Sequence, residues 1–331
     1  MVIMATIRDV AKYTGHSIST VSRVLNHPDK VALATRQEIE AAMRKLDYHR
    51  NEMARELSQG RSHRIGVVLP IADTAYFQKL INAMLLAAFD QQYQVVLLPT
   101  HYKESLEYQY LGLLEHHGVE GLIFASRALP LDKIAAYASY GPIVCCEDTT
   151  GYPISSVTVD RETSLVQVMQ AIQKMGGQRL GLTLDRPESE SPSSRLTFEA
   201  YRTVFHQEPR PEQIVSNVLY MDDGVQAAGQ FFSHKVKPTI ILSNGDEIAG
   251  GIIGYLKHNH ETCAVIGQEN MPISWSMDFS TIDNRLDQIG KTAVQMVIDR
   301  EVRHKKFSAR FIPRGDLAKV ITGNTERRSF E

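Results

Sequence analysis

The stretch Ile7 to Leu25, IRDVAKYTGHSISTVSRVL, constrains the chain more than any other, because it reads as two short helices joined by a tight turn. Thr6 followed by Asp9 has the spacing of a capping box for the first helix, which buries Ile7, Val10 and Ala11. Gly15 supplies the turn, and the Ser17 hydroxyl can take an orphan N–H of the second helix. In that second helix Val21, Val24 and Leu25 fall at i, i+3 and i+4, leaving Ile18, Ser19, Ser22 and Arg23 on the opposite faces. One side packs and the other is free to touch something, which is the arrangement of a helix-turn-helix with its second helix in a major groove. A third helix is expected from about Thr35, with Glu38 completing a capping box and Ile39, Ala42, Met43 and Leu46 on its inner face.

The formal net charge of −2 conceals an asymmetry. Residues 1–64 carry eleven Lys/Arg against seven Asp/Glu, and the remainder carries 25 against 31. The basic end can attract phosphate and the acidic body cannot, although a charge run alone is usually a solvated face. At 331 residues the chain is long enough for two or three units. It shows no secretory h-region and no run of eighteen apolar residues, so a cytoplasmic location without a membrane partner is expected. Of the three cysteines, Cys145 and Cys146 are neighbours, and neighbours in a strand point to opposite faces. All three read as packing residues in a reducing compartment.

From Ile65 onward short apolar runs alternate with longer helical patterns. The candidate strands are IGVVLP, QVVLLP, GLIFAS, PIVCCE, SVTVD, RLGLTL, TIILS, CAVIG and STID. Such alternation implies an α/β fold of parallel sheets wrapped by helices, and nine strands suit two sheets better than one. Ligands of such sheets sit at the carboxyl ends of the strands, in the cleft between the two halves. Tyr76 and Phe77, on the loop after the first strand, can close over a ligand there or pack in the core.

Enzymatic signatures are absent. There is no G-x-S-x-G elbow, no Walker phosphate loop and no H-E-x-x-H helix, and NGDEIAGGIIG lacks the spacing of a dinucleotide fingerprint. His258 and His260 in HNHET read as a solvated helix end, so neither a metal nor a cofactor is expected. The rival class is a sugar-binding or sugar-converting protein with an incidental helical cap.

The run TIRDVAKYTGHSISTVSRVLN resembles the DNA-binding segment that opens LacI/GalR-family transcription repressors. The resemblance implies a helix-turn-helix three-helix domain at 5–49, a hinge at 50–63 and, at 64–331, a two-subdomain periplasmic-binding-protein-like domain for effector binding and dimerisation. It implies that Ile18, Ser19 and Arg23 face base edges and that Thr6, Ser17, Ser22, Asn26 and Thr35 meet phosphates. In the hinge, Asn51, Ala54, Arg55 and Leu57 match the family pattern, with Leu57 as a minor-groove wedge, whereas Arg50 stands where the family usually has Pro. In the cleft, Arg195 and Asp246 match family ligand positions, Gly245 replaces the family Asn, and Glu147 and Glu269 stand where the family has Asp. The resemblance therefore implies a homodimeric repressor of carbohydrate or catabolite genes on pseudo-palindromic double-stranded DNA. Its switch is a small sugar or sugar-phosphate effector, or alternatively a phosphorylated carrier protein docking on the N-terminal subdomain.

Overall fold

A computed structural model of the chain describes residues 5–48, 62–174, 176 and 179–315. The chain divides into two compact units, one ending at Ser62 and the other beginning at His63. The hinge positions Arg50, Asn51, Ala54, Arg55 and Leu57 lie outside the described residues.

The first unit holds three helices, α1 (Ile7–Thr14), α2 (Ile18–Asn26) and α3 (Leu33–Lys45). Local chemistry sets their ends. Thr6 and Asp9 form the reciprocal capping box that their spacing predicts, Gly15 closes α1 in the left-handed region at φ 71°, and the Ser17 hydroxyl accepts the Thr20 N–H at 3.1 Å. Val10, Ala11, Val21, Val24, Ile39 and Ala42 bury together, with Ile7, Met43 and Leu46 partly buried around them. Leu25 is only half-buried. The start of α3 corrects the sequence reading: the helix begins at Leu33 behind Ala32, with no side-chain cap, so Thr35 lies in its first turn. Glu38 instead pairs with His16 at 3.1 Å, which ties α3 to the turn between α1 and α2.

The second unit is two doubly wound lobes. The first is built from β1 (Arg64–Leu69), α4 (Ala75–Asp90), β2 (Gln94–Pro99), α5 (Glu104–Glu115), β3 (Gly121–Phe124), α6 (Leu131–Ala135), β4 (Ile143–Cys145) and β5 (Ser155–Asp160). The chain then crosses into the second lobe through α7 (Arg161–Lys174), β6 (Leu180–Thr183), α8 (Pro192–Phe205), β7 (Ile214–Val215) and α9 (Met221–Ser233). That lobe continues with β8 (Ile240–Leu242), α10 (Asp246–His258), β9 (Ala264–Gln268), α11 (Pro272–Ser276) and β10 (Ser280–Asp283). It returns to the first lobe through α12 (Leu286–Asp299) and β11 (His304–Ser308) and crosses once more to β12 (Arg310–Ile312). The sheets run β11-β5-β4-β3-β1-β2 and β12-β10-β9-β8-β6-β7. All pairings are parallel except β12 against β10.

All nine expected strands form, but three more complete the sheets. β7, β11 and β12 were not legible, because they are short edge strands and HKKFS presents exposed His304, Lys305 and Lys306 in place of an apolar face. The cysteines behave as packing residues: Cys145 is buried on one side of its sheet and Cys146 packs against the core on the other. Burial pushes the Cys146 thiol up to about 12.

In the first lobe α12 lies against α4 over a core that includes Leu80, Met84, Ile289, Ala293 and Val297. Gly290 makes this contact close, since a Cβ there would stand 2.8 Å from both the Leu80 carbonyl oxygen and the Ala83 Cβ. Gly290→Ala should therefore force the helices apart and cost about 1–3 kcal/mol. Urea unfolding of the full chain measures it, and an unchanged midpoint would show that the two helices separate freely.

Candidate nucleic-acid interface and interlobe cavity

In the first unit the capped turn presents the leading end of α2 to solvent. Ile18 is 47 % exposed, and Ser19 and Arg23 are exposed beside it. The Arg23 guanidinium makes no hydrogen bond or ion pair with a described residue. An apolar tip, a hydroxyl and an uncommitted guanidinium on one helical face can meet a thymine methyl and the acceptor edge of guanine. The expected phosphate ligands are less alike. Ser22 is half-buried and accepts from the Asn26 amide at 3.2 Å, while the Thr6 hydroxyl already donates to Asp9 at 2.7 Å. Ser17 shares its hydroxyl with Ser19 and Thr20 at 2.7 and 2.8 Å, and Thr35 is half-buried.

In the second unit the carboxyl ends of both sheets face a cavity of about 940 Å³, at the large end of small-molecule sites. Tyr76, Phe77, Glu147, Arg195 and Glu269 line it. Phe77 is also part of the first lobe's core and meets Tyr76 edge-on at 5.0 Å. The Tyr76 hydroxyl accepts from Arg161 at 3.2 Å, and burial raises its pKa above the usual phenol value. Glu147 is paired with Arg127, two contacts of 2.8 Å holding both of its oxygens. Arg195, in the first turn of α8, is exposed and its guanidinium makes no hydrogen bond or ion pair with a described residue, so its side-chain donors are available to a ligand.

Asp246 departs from the expected role. It is fully buried, it does not line the cavity, and its oxygens accept the Met271 N–H at 2.7 Å and the Thr281 hydroxyl at 2.6 Å. Burial pushes its pKa up to about 6. The first residue of α10 thus ties that helix to β10 and the β9–α11 loop; it is an internal strut and not a ligand contact.

Glu269 is 5 % exposed at the cavity wall, in the left-handed region at φ 99°, where a side chain is strained. Burial, reinforced by the neighbouring Asp246, holds its carboxyl well above the ordinary range. A Cβ on Gly245 would stand 3.6 and 3.7 Å from the Glu269 oxygens. Those are ordinary van der Waals distances, so a Cβ alone fits and only a larger side chain at 245 would press on the carboxyl group.

Other cavity residues were missed by the sequence reading, and several contacts join the lobes. Arg186 stacks over the Tyr102 ring at 3.7 Å, the Tyr220 hydroxyl donates to Asp73 at 3.2 Å, and Lys79 donates to the carbonyls of Glu269 and Asn270 at 2.8 and 3.2 Å. Asp185 and Arg186 directly follow the strand RLGLTL, so the rule that parallel strands end at the site could have found them. Among the described residues no helix is long and apolar enough to cross a membrane.

Comparison with known proteins agrees with this geometry. The family model described as bacterial regulatory proteins, lacI family, matches residues 6–51, and the model for periplasmic binding proteins and the sugar binding domain of the LacI family matches residues 62–312. Catabolite control protein B of Bacillus subtilis (strain 168) is 36% identical over 308 residues, covering 93% of this chain and 99% of that protein. A crystal structure of the lac repressor dimer bound to operator and the anti-inducer ONPF covers 94% of this chain and 98% of its own, with a TM-score of 0.77 at 24% identity. A LacI family transcriptional regulator from Lactobacillus casei with bound glucose covers 76% of this chain and 98% of its own, with a TM-score of 0.68 at 18% identity.

Gly245→Val should crowd the Glu269 carboxyl and cost about 1–3 kcal/mol, since φ −162° at this position is open to any residue and space alone decides. In a Glu269→Ala background the loss should shrink by about 0.5–3 kcal/mol, as read from urea midpoints of the four proteins. Strict additivity would show that the two positions do not share this space. The helix-turn-helix unit, the two lobes with strand ends facing one cavity, and the two model matches that between them span most of the sequence place the chain in the LacI family of bacterial regulatory proteins.

Proposed function

We propose that the protein is a cytoplasmic, dimeric, sequence-specific repressor of carbohydrate or catabolite genes and has no enzymatic activity. In this reading residues 5–49 read DNA, 50–63 form a hinge whose Leu57 wedges into the minor groove, and 64–331 bind the effector. The observation that carries it is the exposed face of Ile18, Ser19 and Arg23, with an Arg23 guanidinium unpaired among the described residues, on a helix whose N-terminus is capped by Ser17. The sequence-level excess of basic residues in 1–64 supports phosphate attraction. One recognition helix spans only a few base pairs, so two copies on a pseudo-palindromic site are needed for useful specificity. An exposed apolar face supports the second copy: Leu85, Leu86 and Phe89 on α4, the last 79 % exposed, share a surface depression with Val95 on the edge strand β2.

Arg195 supports a hydroxyl-bearing or phosphorylated sugar as effector, because its planar fork suits a diol or an anion. The glucose bound by the Lactobacillus casei regulator fits the same class.

Arg23→Ala should cost about 1–3 kcal/mol of DNA affinity and relax preference at one base position. Ser22→Ala should instead weaken all sequences alike. Selection from a random duplex pool with wild type, followed by affinity measurements on single-base variants, checks both; unchanged specificity in Arg23→Ala removes the assignment.

Calorimetry of the full chain against sugars and sugar phosphates should find a ligand whose affinity falls about tenfold or more in Arg195→Ala, as loss of a charge-assisted hydrogen bond entails. A ligand that binds Arg195→Ala as tightly as wild type would refute the cavity assignment. Binding of a serine-phosphorylated carrier protein alone would place the switch on the surface.

A further inference from the structure

The point where the chain enters the second unit is held by one buried carboxylate that the effector reading does not use. Glu120 precedes β3, and its side chain is 6 % exposed. Its Oε1 accepts the backbone N–H of His63, the first residue of the unit, at 2.8 Å. Its Oε2 accepts the Tyr93 hydroxyl at 3.1 Å and the Arg300 guanidinium at 3.0 Å. The Glu120 N–H in turn donates to the Arg64 carbonyl at 2.8 Å, and the His63 carbonyl accepts from Gln94 at 2.8 Å. Burial, the largest single influence, pushes the Glu120 carboxyl upward, but these donors together hold it below the usual range. The carboxylate is thus ionised and engaged on both oxygens at neutral pH.

Holding the chain here is costly. His63 lies in the left-handed region at φ 51°, and both its Nδ1 and the Ser62 Oγ are buried without a hydrogen-bond partner. Left-handed backbone at a non-glycine residue is strained, and each buried unpaired group adds a desolvation cost. Such a conformation persists only where the surroundings over-determine it, and Glu120, with the Tyr93 ring tilted against that of His63 at 5.1 Å, is what does so.

Arg300 ends α12, and Ile289 on the same helix lines the cavity. The two positions are eleven residues apart, about 16 Å along the axis. Gly290 seats α12 closely against α4, so one rigid helix spans from the cavity wall to the carboxylate.

We propose that Glu120 is a positioning residue: with Arg300 and the rod α12 it fixes the direction in which the chain leaves the effector unit toward the DNA-binding unit, and so sets how well two copies engage a two-half-site duplex together. This rests on the reading of the protein as a dimeric DNA-binding regulator. A fixed exit raises the effective concentration of the second helix-turn-helix once the first has bound, and a loosened exit lowers it without touching the reading helix itself.

The test compares full-length wild type, Glu120→Gln, Arg300→Ala and Arg300→Lys on a pseudo-palindromic duplex selected from a random pool by wild type, and on a duplex carrying one half-site. In Glu120→Gln the amide must turn its NH₂ toward donors on one side, breaking half of the clamp. Arg300→Ala removes a half-exposed partner and keeps the remaining fold testable. The expected result is that the full-site advantage over the half-site falls about tenfold in Glu120→Gln and Arg300→Ala, that half-site affinity stays within about twofold, and that Arg300→Lys recovers most of the advantage. An unchanged ratio in both variants overturns the proposal, as does a parallel fall in both affinities, which marks a merely structural residue. Should wild type select no duplex at all, the DNA reading fails first and the proposal with it.

Discussion

The close seat of α12 on α4 at Gly290 is the contact on which the rest of the second unit depends. By chain order α12 follows the last parallel strand of the second lobe, yet its side chains Leu286, Ile289, Ala293 and Val297 belong to the core of the first. That exchange binds the lobes topologically without welding their facing surfaces. The chain passes between them at Asp160–Arg161, at Asp283–Leu286 and at Ser308–Arg310 among the described residues, and the first of these passages lines the cavity. Two separately packed lobes leave a cleft lined by polar and apolar residues, many of them at strand ends.

The energetics across that cleft differ from those within the lobes. Inside each lobe tens of apolar side chains are removed from water, at a stabilisation of roughly 1.5–3 kcal/mol for each large one. Between the lobes the contacts at the cavity are polar or cation–π: Arg186 on Tyr102, Tyr220 to Asp73, Arg161 to Tyr76 and Lys79 to two carbonyls. Contacts of this kind contribute on the order of 1 kcal/mol each. A ligand that binds one lobe arrangement a few kcal/mol better than another can therefore redistribute the lobes without disturbing either core.

How much of this was legible in the sequence follows from the range of the forces involved. The helix-turn-helix was readable almost residue by residue, because Thr6 with Asp9, Gly15 and Ser17 act within three or four positions. The misplaced start of α3 has the same origin: Thr35 and Glu38 have capping-box spacing, but Leu33 and Ala34 continue the helix one turn earlier and Glu38 is drawn to His16. The buried strands declared themselves by apolar runs, whereas β11 did not, since an edge strand bearing Lys305 and Lys306 looks like a loop until β5 pairs with it. In the cavity, resemblance to the family, with strand-end position for Tyr76, picked out Tyr76, Glu147, Arg195 and Glu269, which the structure places around one space. It failed for Asp246, whose orientation is decided by Thr281 and Met271 from distant parts of the chain.

The same limit explains why Glu120 was invisible in VEGLIF. Its partners His63, Tyr93 and Arg300 are spread over the first strand's approach, the start of β2 and the end of α12, so only the folded lobe assembles them. A carboxylate so placed is expensive to bury and inexpensive to keep once three donors surround it, and the strained backbone at His63 is held by that difference. Because one of the donors comes from the helix that also forms the cavity wall, any motion of α12 that a ligand selects must either carry Arg300 with it or leave Glu120 short of a partner. Were a ligand in the cavity to shift α12, the change would reach the residue at which the chain enters this unit through Arg300 and Glu120, and no separate relay would be needed.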